Sequence, residues 1–328
     1  MEAFEYTAPK TAQEVIKLLP SEWGHTDILA GGTDLISGLK DGITSPKRLV
    51  SLKHVKDLRE ISYKPGPGLR IGAMATLQDL IDHPAVKSHF PVLIEAAESV
   101  RSEQLRNMGT VGGELLQRPR CWYYRAGYGL LAQHEGKSLP VEGDNRYHAI
   151  LGNSGPAYFV SPSMLAPILI ALGSTVEIRG PKGTRRLALE KLFVTPTEVG
   201  EREHSIKPNE ILTEIMVPHH SMAKSAVYEV RQKEALDWPL AAAAVVLHMS
   251  GNTVNSARVV LGHVAPVPWV SPEAASVLQG KAVTEELAAE AGAASVKDAH
   301  PLSKNGYKVQ LTKVAVKRAI LAAVKGEA

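Results

Sequence analysis

The stretch DILAGGTDLISGL, residues 27–39, decides how this chain is read. A short apolar run, Ile28-Leu29-Ala30, meets two glycines, then Thr33 and Asp34, before apolar spacing resumes at Leu35, Ile36 and Leu39. A buried strand that ends this way makes either a tight turn or a backbone lying against something that is not protein. Glycine lacks Cβ, so its N–H groups can approach a phosphate closely, and successive N–H groups form an anion-binding nest. Thr33 can donate its hydroxyl to the same oxygens, and a helix starting at Asp34 or Leu35 would add its dipole. A second glycine cluster, GTVGG at residues 109–113, gives a dinucleotide pyrophosphate donors from two sides.

Working outward, TAQEVIKLL (11–19) opens with Thr11 and Glu14 at capping-box spacing. RLVSL (48–52) reads as a strand, and EISY with LRIGA as a hairpin around a Pro-Gly turn. PVLIEAAESVRSEQLRN (91–107) reads as one amphipathic helix running into the second glycine cluster, with Pro91 in its first turn. SPSMLAPILIALG (161–173) is a helix closed by Gly173, TVEIRGPKGTRRLAL a hairpin, and NEILTEIMVP an alternating strand. From 117 to about 156 the pattern is poor, as in a functional segment or an insertion. Trp122, Tyr123, Tyr124 and Tyr128 fall there in a chain with 5% aromatics; packing of that segment onto the core is the favoured reading, and one ring set near a flat redox cofactor is the other.

Near residue 222 the composition changes. SAVYEVRQ, LAAAAVVLHM and TVNSARVVLG are three strand-like runs, followed by helices at SPEAASVLQG, TEELAAEAGAASV and YKVQLTKVAVKRAILAAV. Strands followed by segregated helices describe an α+β domain with a three-stranded antiparallel sheet.

The 328 residues suit two domains, and 44% hydrophobic with 22% charged residues suits an ordinary globular protein. A net charge of +3 with scattered basic residues gives no footprint for nucleic acid. No apolar run approaches the roughly 20 residues of a membrane span, and MEAFEYTAPK has no secretory h-region. Cys121 is the single cysteine, which excludes an internal disulfide and an all-cysteine metal site. The histidines lack metal-ligand spacing, G-x-G-x-x-G and G-x-S-x-G are absent, and Gly136-Lys137-Ser138 has Leu131 where a P-loop needs glycine.

In this order and spacing, ILAGGTDL, LRIGAMATLQDL, EQLRNMGTVGGEL, SPSMLAPILIALG, EILTEIMVP, ARVVLGHVAPVPWVSPEAASVLQGK and PLSKNGYKVQL resemble the flavin-binding medium subunit of the molybdenum hydroxylases, over nearly the whole chain. That family includes xanthine dehydrogenase, carbon monoxide dehydrogenase and aldehyde oxidoreductases. The resemblance implies a PCMH-type FAD-binding domain over 1–221, with lobes of about 1–58 and 59–221 and an insertion at about 117–156. A CO dehydrogenase flavoprotein-type domain would follow over 222–328.

It places FAD between the lobes. Ile28, Leu29, Ala30, Gly31, Gly32, Thr33, Asp34 and Leu35 would wrap the pyrophosphate, and the double glycine would leave room for phosphate. Thr110, Gly112 and Gly113 would give opposing donors, Leu212 would touch the ring system, and Glu114 and Met164 would face the ligand. It also implies electron transfer from [2Fe–2S] clusters to an outside acceptor, with no catalytic acid, base or nucleophile. The partners would be a large molybdenum-cofactor subunit and a small [2Fe–2S] subunit, both separate chains, in the cytoplasm or co-exported to the periplasm.

Three departures stand out. Relatives usually have Asn where this chain has Glu114, Asp where it has Met164, and Lys where it has Glu229; two of these bring negative charge towards an anionic cofactor. In one branch the insertion carries four cysteines for a [4Fe–4S] cluster. Here only Cys121 matches, so no cluster is expected and the insertion becomes a structural flap. A stand-alone FAD oxidoreductase and a scaffold without FAD are the rival readings.

Overall fold

The computed structural model describes residues 1–220, 223–233 and 237–326. The first lobe is a three-stranded parallel sheet in which Arg48–Ser51 lies between Glu5–Thr7 and Thr26–Leu29. The middle strand has partners on both sides and is the buried one, with Val50 fully enclosed. Helix Ala12–Leu18 covers the sheet, and its capping box forms as the spacing of Thr11 and Glu14 predicts. Leu29 ends an edge strand of this sheet, so the glycine loop sits at the carboxyl end of a parallel strand, where open sheets leave a crevice.

The second lobe is a five-stranded antiparallel sheet in the order Ile61–Lys64, Gly68–Gly72, Ile211–Val217, Thr175–Gly180, Gly183–Ala188. Both hairpins form where the sequence places them. Ile211–Val217 is central, so it is buried on both faces and not on alternate residues as its spacing suggests. Its Glu214 is buried against Arg70, and the neighbouring Glu177 takes Arg179 at 2.9 Å and Arg186 at 3.0 Å. Helix Leu165–Ala171 is buried at every residue and closes at Gly173, whose φ of +69° is the left-handed conformation glycine adopts without strain.

The single helix expected over 91–107 is two: Pro91–Glu98 and Glu103–Met108. The break has a local cause. The Ser99 hydroxyl donates to the Ala96 carbonyl at 2.7 Å, and Ser102 caps the second helix by accepting from the Leu105 amide at 3.3 Å. The bend brings Met108 against the first glycine loop.

The C-terminal sheet is antiparallel in the order Ala223–Val230, Ala241–Ser250, Thr253–Gly262, with a short fourth strand, Trp269–Val270, added at its edge. Alternate residues of Ala241–Ser250 feed two cores. Ala244 and Val246 pack towards the two N-terminal lobes, whereas Ala241, Ala243, Val245 and Leu247 pack under helices Pro272–Leu278, Glu285–Ala294 and Tyr307–Lys325. The period of two thus glues the two parts of the chain together through one sheet. Among the described residues no helix is long and apolar enough to cross a membrane.

The insertion has its own small core of Tyr124, Leu130, Leu131, Ala157 and Phe159, with Cys121 packed against it. Its far side is pinned to the C-terminal part. Buried Lys308 donates to the carbonyls of Tyr147, His148 and His263 at 3.3, 3.1 and 2.7 Å, and the Asn145 carbonyl oxygen accepts from the Lys304 amide at 2.8 Å. Trp122 meets Tyr123 and Tyr147 edge-on inside the segment, which is the packing role the aromatics suggest.

Candidate functional site

The two glycine loops touch. A Cβ on Gly31 would lie 1.8 Å from the Met108 carbonyl oxygen, so protein backbone alone requires glycine there. Gly32 has φ of +77°, a turn conformation. The opening alternative, tight turn or close approach, therefore resolves into both, and the approach of Gly31 is to protein. Gly112 is likewise pressed on Ala73, where a Cβ would come within 2.8 Å of the carbonyl oxygen.

Accounting for the backbone donors separates the loops. The amides of Val111, Gly112, Gly113 and Glu114 are committed to the Ala75 carbonyl, the Ala73 carbonyl, the Thr110 hydroxyl and the Thr110 carbonyl. From Gly31 to Leu35, by contrast, no amide has a hydrogen-bond partner among the described residues. Helix Leu35–Lys40 starts where expected but is only six residues long, so these free N–H groups, not a macrodipole, are what the loop offers an anion.

Ile28, Ala30, Gly31, Gly32, Thr33, Asp34, Leu35, Thr110, Gly112, Gly113 and Leu212 all line one cavity of about 260 Å³ between the lobes. Leu29 does not; it packs behind Gly32. Thr33, Asp34, Thr110 and Gly113 are shared with a second cavity of about 230 Å³, which Glu114 and Met164 line together with Ser99, Arg120, Arg231 and Trp238. The two form one continuous cleft past the glycine loops.

Glu114, Met164 and Glu229, the three positions singled out in the sequence, are physically linked. The Glu114 carboxylate, buried, accepts from the Met164 amide at 2.5 Å and the Ser163 hydroxyl at 2.7 Å, and so caps helix Leu165–Ala171. Burial pushes its carboxyl up to about 7 against these donors, and the Glu229 charge adds to the rise. The Met164 sulfur lies 3.1 Å from the Ser99 hydroxyl oxygen and 3.8 Å from Arg231, whose guanidinium is bonded to Glu229. Neither acid therefore faces the cleft as a free charge: Glu114 is turned to a helix start and Glu229 is neutralised.

Sequence reading missed the arginines. Asp34 accepts from Arg120 at 2.6 Å, Arg125 at 2.9 Å and the Arg118 amide at 2.8 Å, all from the insertion. Burial alone would raise the Asp34 carboxyl, but Arg120, the Arg118 amide and Arg125 outweigh it and hold it below the ordinary value. Arg118 itself pairs with buried Glu203, and Arg202 lies 4.4 Å over the Trp23 ring at the cleft edge. The available signal was three arginines within QRPRCWYYR (117–125). Cys121 sits on the other side of the segment, 3.1 Å from the His148 ring, with burial raising its thiol.

A run of unpaired backbone N–H groups beside cationic side chains, opening onto an apolar groove with Leu212 in its wall, suits a molecule with a phosphate centre and flat apolar ends. FAD has this form, and the residues present fit it.

Comparison with known proteins agrees. Residues 2–220 match the family model described as the FAD binding domain in molybdopterin dehydrogenase, and 226–323 match the CO dehydrogenase flavoprotein C-terminal domain. The chain is 31% identical to the carbon monoxide dehydrogenase medium chain of Hydrogenophaga pseudoflava, over 98% of this chain and 96% of that one. It is also 31% identical to the aldehyde oxidoreductase FAD-binding subunit PaoB of Escherichia coli, over 95% and 96%. Among solved structures, carbon monoxide dehydrogenase from Hydrogenophaga pseudoflava superposes with a TM-score of 0.77 at 28% identity, covering 99% of this chain and 98% of that one. Quinoline 2-oxidoreductase from Pseudomonas putida gives 0.77 at 26%, with coverage of 99% and 98%. The chain belongs to the FAD-binding medium subunits of the molybdenum hydroxylases, and it is an oxidoreductase subunit whose cofactor is FAD.

Proposed function

We propose that this chain is the electron-transfer flavoprotein of a molybdenum-containing hydroxylase or dehydrogenase. FAD would take electrons from the [2Fe–2S] clusters of a small partner subunit and hand them to an external acceptor, while a large subunit, also a separate chain, oxidises the substrate at molybdenum. FAD supplies the redox chemistry; this chain's residues bind, orient and shield it.

The observation that carries the reading is the row of amides from Gly31 to Leu35 without partners among the described residues, opening into the cleft that also contains Thr110, Gly112, Gly113 and Leu212. On this reading Ile28 to Leu35 hold the pyrophosphate, with Leu29 acting from behind. Leu212 packs on a ring, and Glu114 and Met164 shape the second cavity. FAD binding would belong to residues 1–221, in lobes of about 1–58 and 59–221, and the remaining residues would form the second domain. The arrangement of Glu114 and Glu229 weakens the scaffold alternative, because neither leaves an unpaired charge against an anionic ligand. The assembly would work in the cytoplasm, or in the periplasm after export with a partner.

The test is to purify the tagged chain from its native cells. Two further subunits, molybdenum, iron and about one FAD per chain are expected in the eluate. A chain that elutes alone with FAD would favour the stand-alone oxidoreductase, and a complex without FAD the scaffold.

A further inference from the structure

The two glycine loops are unequal as a phosphate cradle. Among the described residues Gly31 to Leu35 present free N–H groups, but the amides from Val111 to Glu114 are already bonded within the protein, which leaves that wall only the amide and hydroxyl of Thr110 to donate. A doubly charged pyrophosphate held by one wall would keep much of its charge uncompensated in a partly dry cleft.

The insertion faces the same space. Arg118 and Arg125 line the first cavity and Arg120 the second. Arg118 is neutralised by Glu203, but Arg120 and Arg125 share the single carboxylate of Asp34, so two guanidiniums meet one acid and a positive charge is left over. Both are held rigidly. Arg125 donates through Nε to the Pro119 carbonyl at 3.0 Å and through Nη2 to Asp34 and the Arg118 carbonyl, leaving Nη1 without a hydrogen-bond partner among the described residues. Arg120 donates through Nη1 to Asp34 and through Nη2 to Gln117 at 2.8 Å, and its Nε is buried without a partner. A fixed guanidinium with an unused N–H edge suits a phosphate oxygen.

The geometry points to Arg125, assisted by Arg120, as cofactor-positioning residues: the insertion supplies the cationic wall for the FAD pyrophosphate that the second glycine loop lacks. Asp34 is the orienting partner, close enough to hold both guanidiniums and outnumbered by them. The insertion then does more than pack as a flap, because it links the phosphate site to the C-terminal part through Lys308, which donates to the Tyr147 and His148 carbonyls, and through Asn145. This inference rests on the proposed placement of FAD in the cleft.

The test uses the full-length chain freed of FAD. FAD affinity is measured by quenching of flavin fluorescence, and inorganic pyrophosphate serves as a competitor. Losing a charge-assisted contact of this kind weakens binding about 10- to 100-fold. Arg125→Met is expected to raise the FAD dissociation constant by that factor and the pyrophosphate competition constant in step. Arg125→Lys is expected to recover part of both, and Arg120→Met to give a smaller loss, which also covers the case in which the Arg125→Met protein does not fold. FAD affinity unchanged in both methionine variants would overturn the inference while leaving the functional reading intact. So would FAD affinity lost with pyrophosphate competition unchanged, since the arginines would then act only as a latch on Asp34. Failure of the unsubstituted chain to bind FAD would overturn the functional reading and this inference with it.

Discussion

The Glu114 carboxylate accepts from the Met164 backbone amide at 2.5 Å, joining two positions at which this chain departs from the pattern its family resemblance implies. Where that pattern implies an acid at the start of helix Leu165–Ala171 this chain has Met164, and Glu114 on the neighbouring loop reaches over to cap the same helix. The two departures compensate one another, and this makes their coupling measurable.

Met164→Asp alone puts a second carboxyl beside buried Glu114 and is expected to cost about 2–4 kcal/mol of stability. Glu114→Asn alone removes the cap and is expected to cost about 1–2 kcal/mol. The double variant restores one acid at the helix start and is expected to be more stable than the sum of the singles by about 1–3 kcal/mol. Denaturant unfolding of the four proteins checks this, and simple additivity would contradict the compensation.

The raised Glu114 carboxyl has a sign that pH can read. Its value in the folded chain is about 7, above the ordinary 4.5, so the folded state holds this proton more tightly than the unfolded state. The group's contribution is most favourable below about 4.5, declines as pH rises to about 7, and is constant above; the span amounts to ~3 kcal/mol. Buried His148 and His263 act in the opposite sense, because burial, with the Lys308 charge, holds them at about 4 and about 3, and they disfavour acid. The informative quantity is therefore the difference between the native chain and Glu114→Gln. The variant's stability relative to the native chain is expected to improve between pH 5 and pH 8. A difference that does not vary with pH would contradict the assignment.

Gly31 and Gly113 separate backbone crowding from cofactor contact. At Gly31 a methyl group would overlap the Met108 carbonyl, so Gly31→Ala is expected to destabilise the chain by more than ~3 kcal/mol and to part the two loops. At Gly113 a Cβ would meet only the Thr110 hydroxyl, at 2.9 Å, which can shift. Gly113→Ala is expected to fold with stability within about 1 kcal/mol of the native chain, because alanine's better helix propensity offsets the displacement of Thr110. Thermal unfolding of both variants is the check.

Lys308 ties the insertion to the C-terminal part through the Tyr147 and His148 carbonyls, and is itself anchored on the His263 carbonyl. Lys308→Met removes the donor to the Tyr147 and His263 carbonyls, while Asn305 still donates to that of His148, for a cost of about 2–4 kcal/mol. Brief tryptic digestion should then cut first within 117–156. Cleavage elsewhere at the native rate would show that the insertion is held by other contacts.

Local chemistry made much of this fold legible. Thr11 with Glu14, the Pro-Gly hairpin and Gly173 each mark an element boundary through their own backbone needs, and the strand-like apolar run LAAAAVVLHM announced a strand. The break at Ser99–Ser102 was not legible, because either serine is tolerated within a helix and their hydrogen bonds decide the matter only in three dimensions. The first glycine loop was found from its residues. The commitment of the second loop's amides to Ala73 and Ala75 was not, since those partners lie 36–39 residues away along the chain and belong to another element. The arginines around Asp34 lie 84–91 residues from it, and no periodicity carries such a pairing.

The most direct measurement is the visible spectrum of the purified chain, with the flavin released on denaturation quantified against protein. About one FAD per chain, bound as purified or taken up on addition, is the expected result. A colourless chain that takes up no added FAD would contradict the electron-transfer assignment.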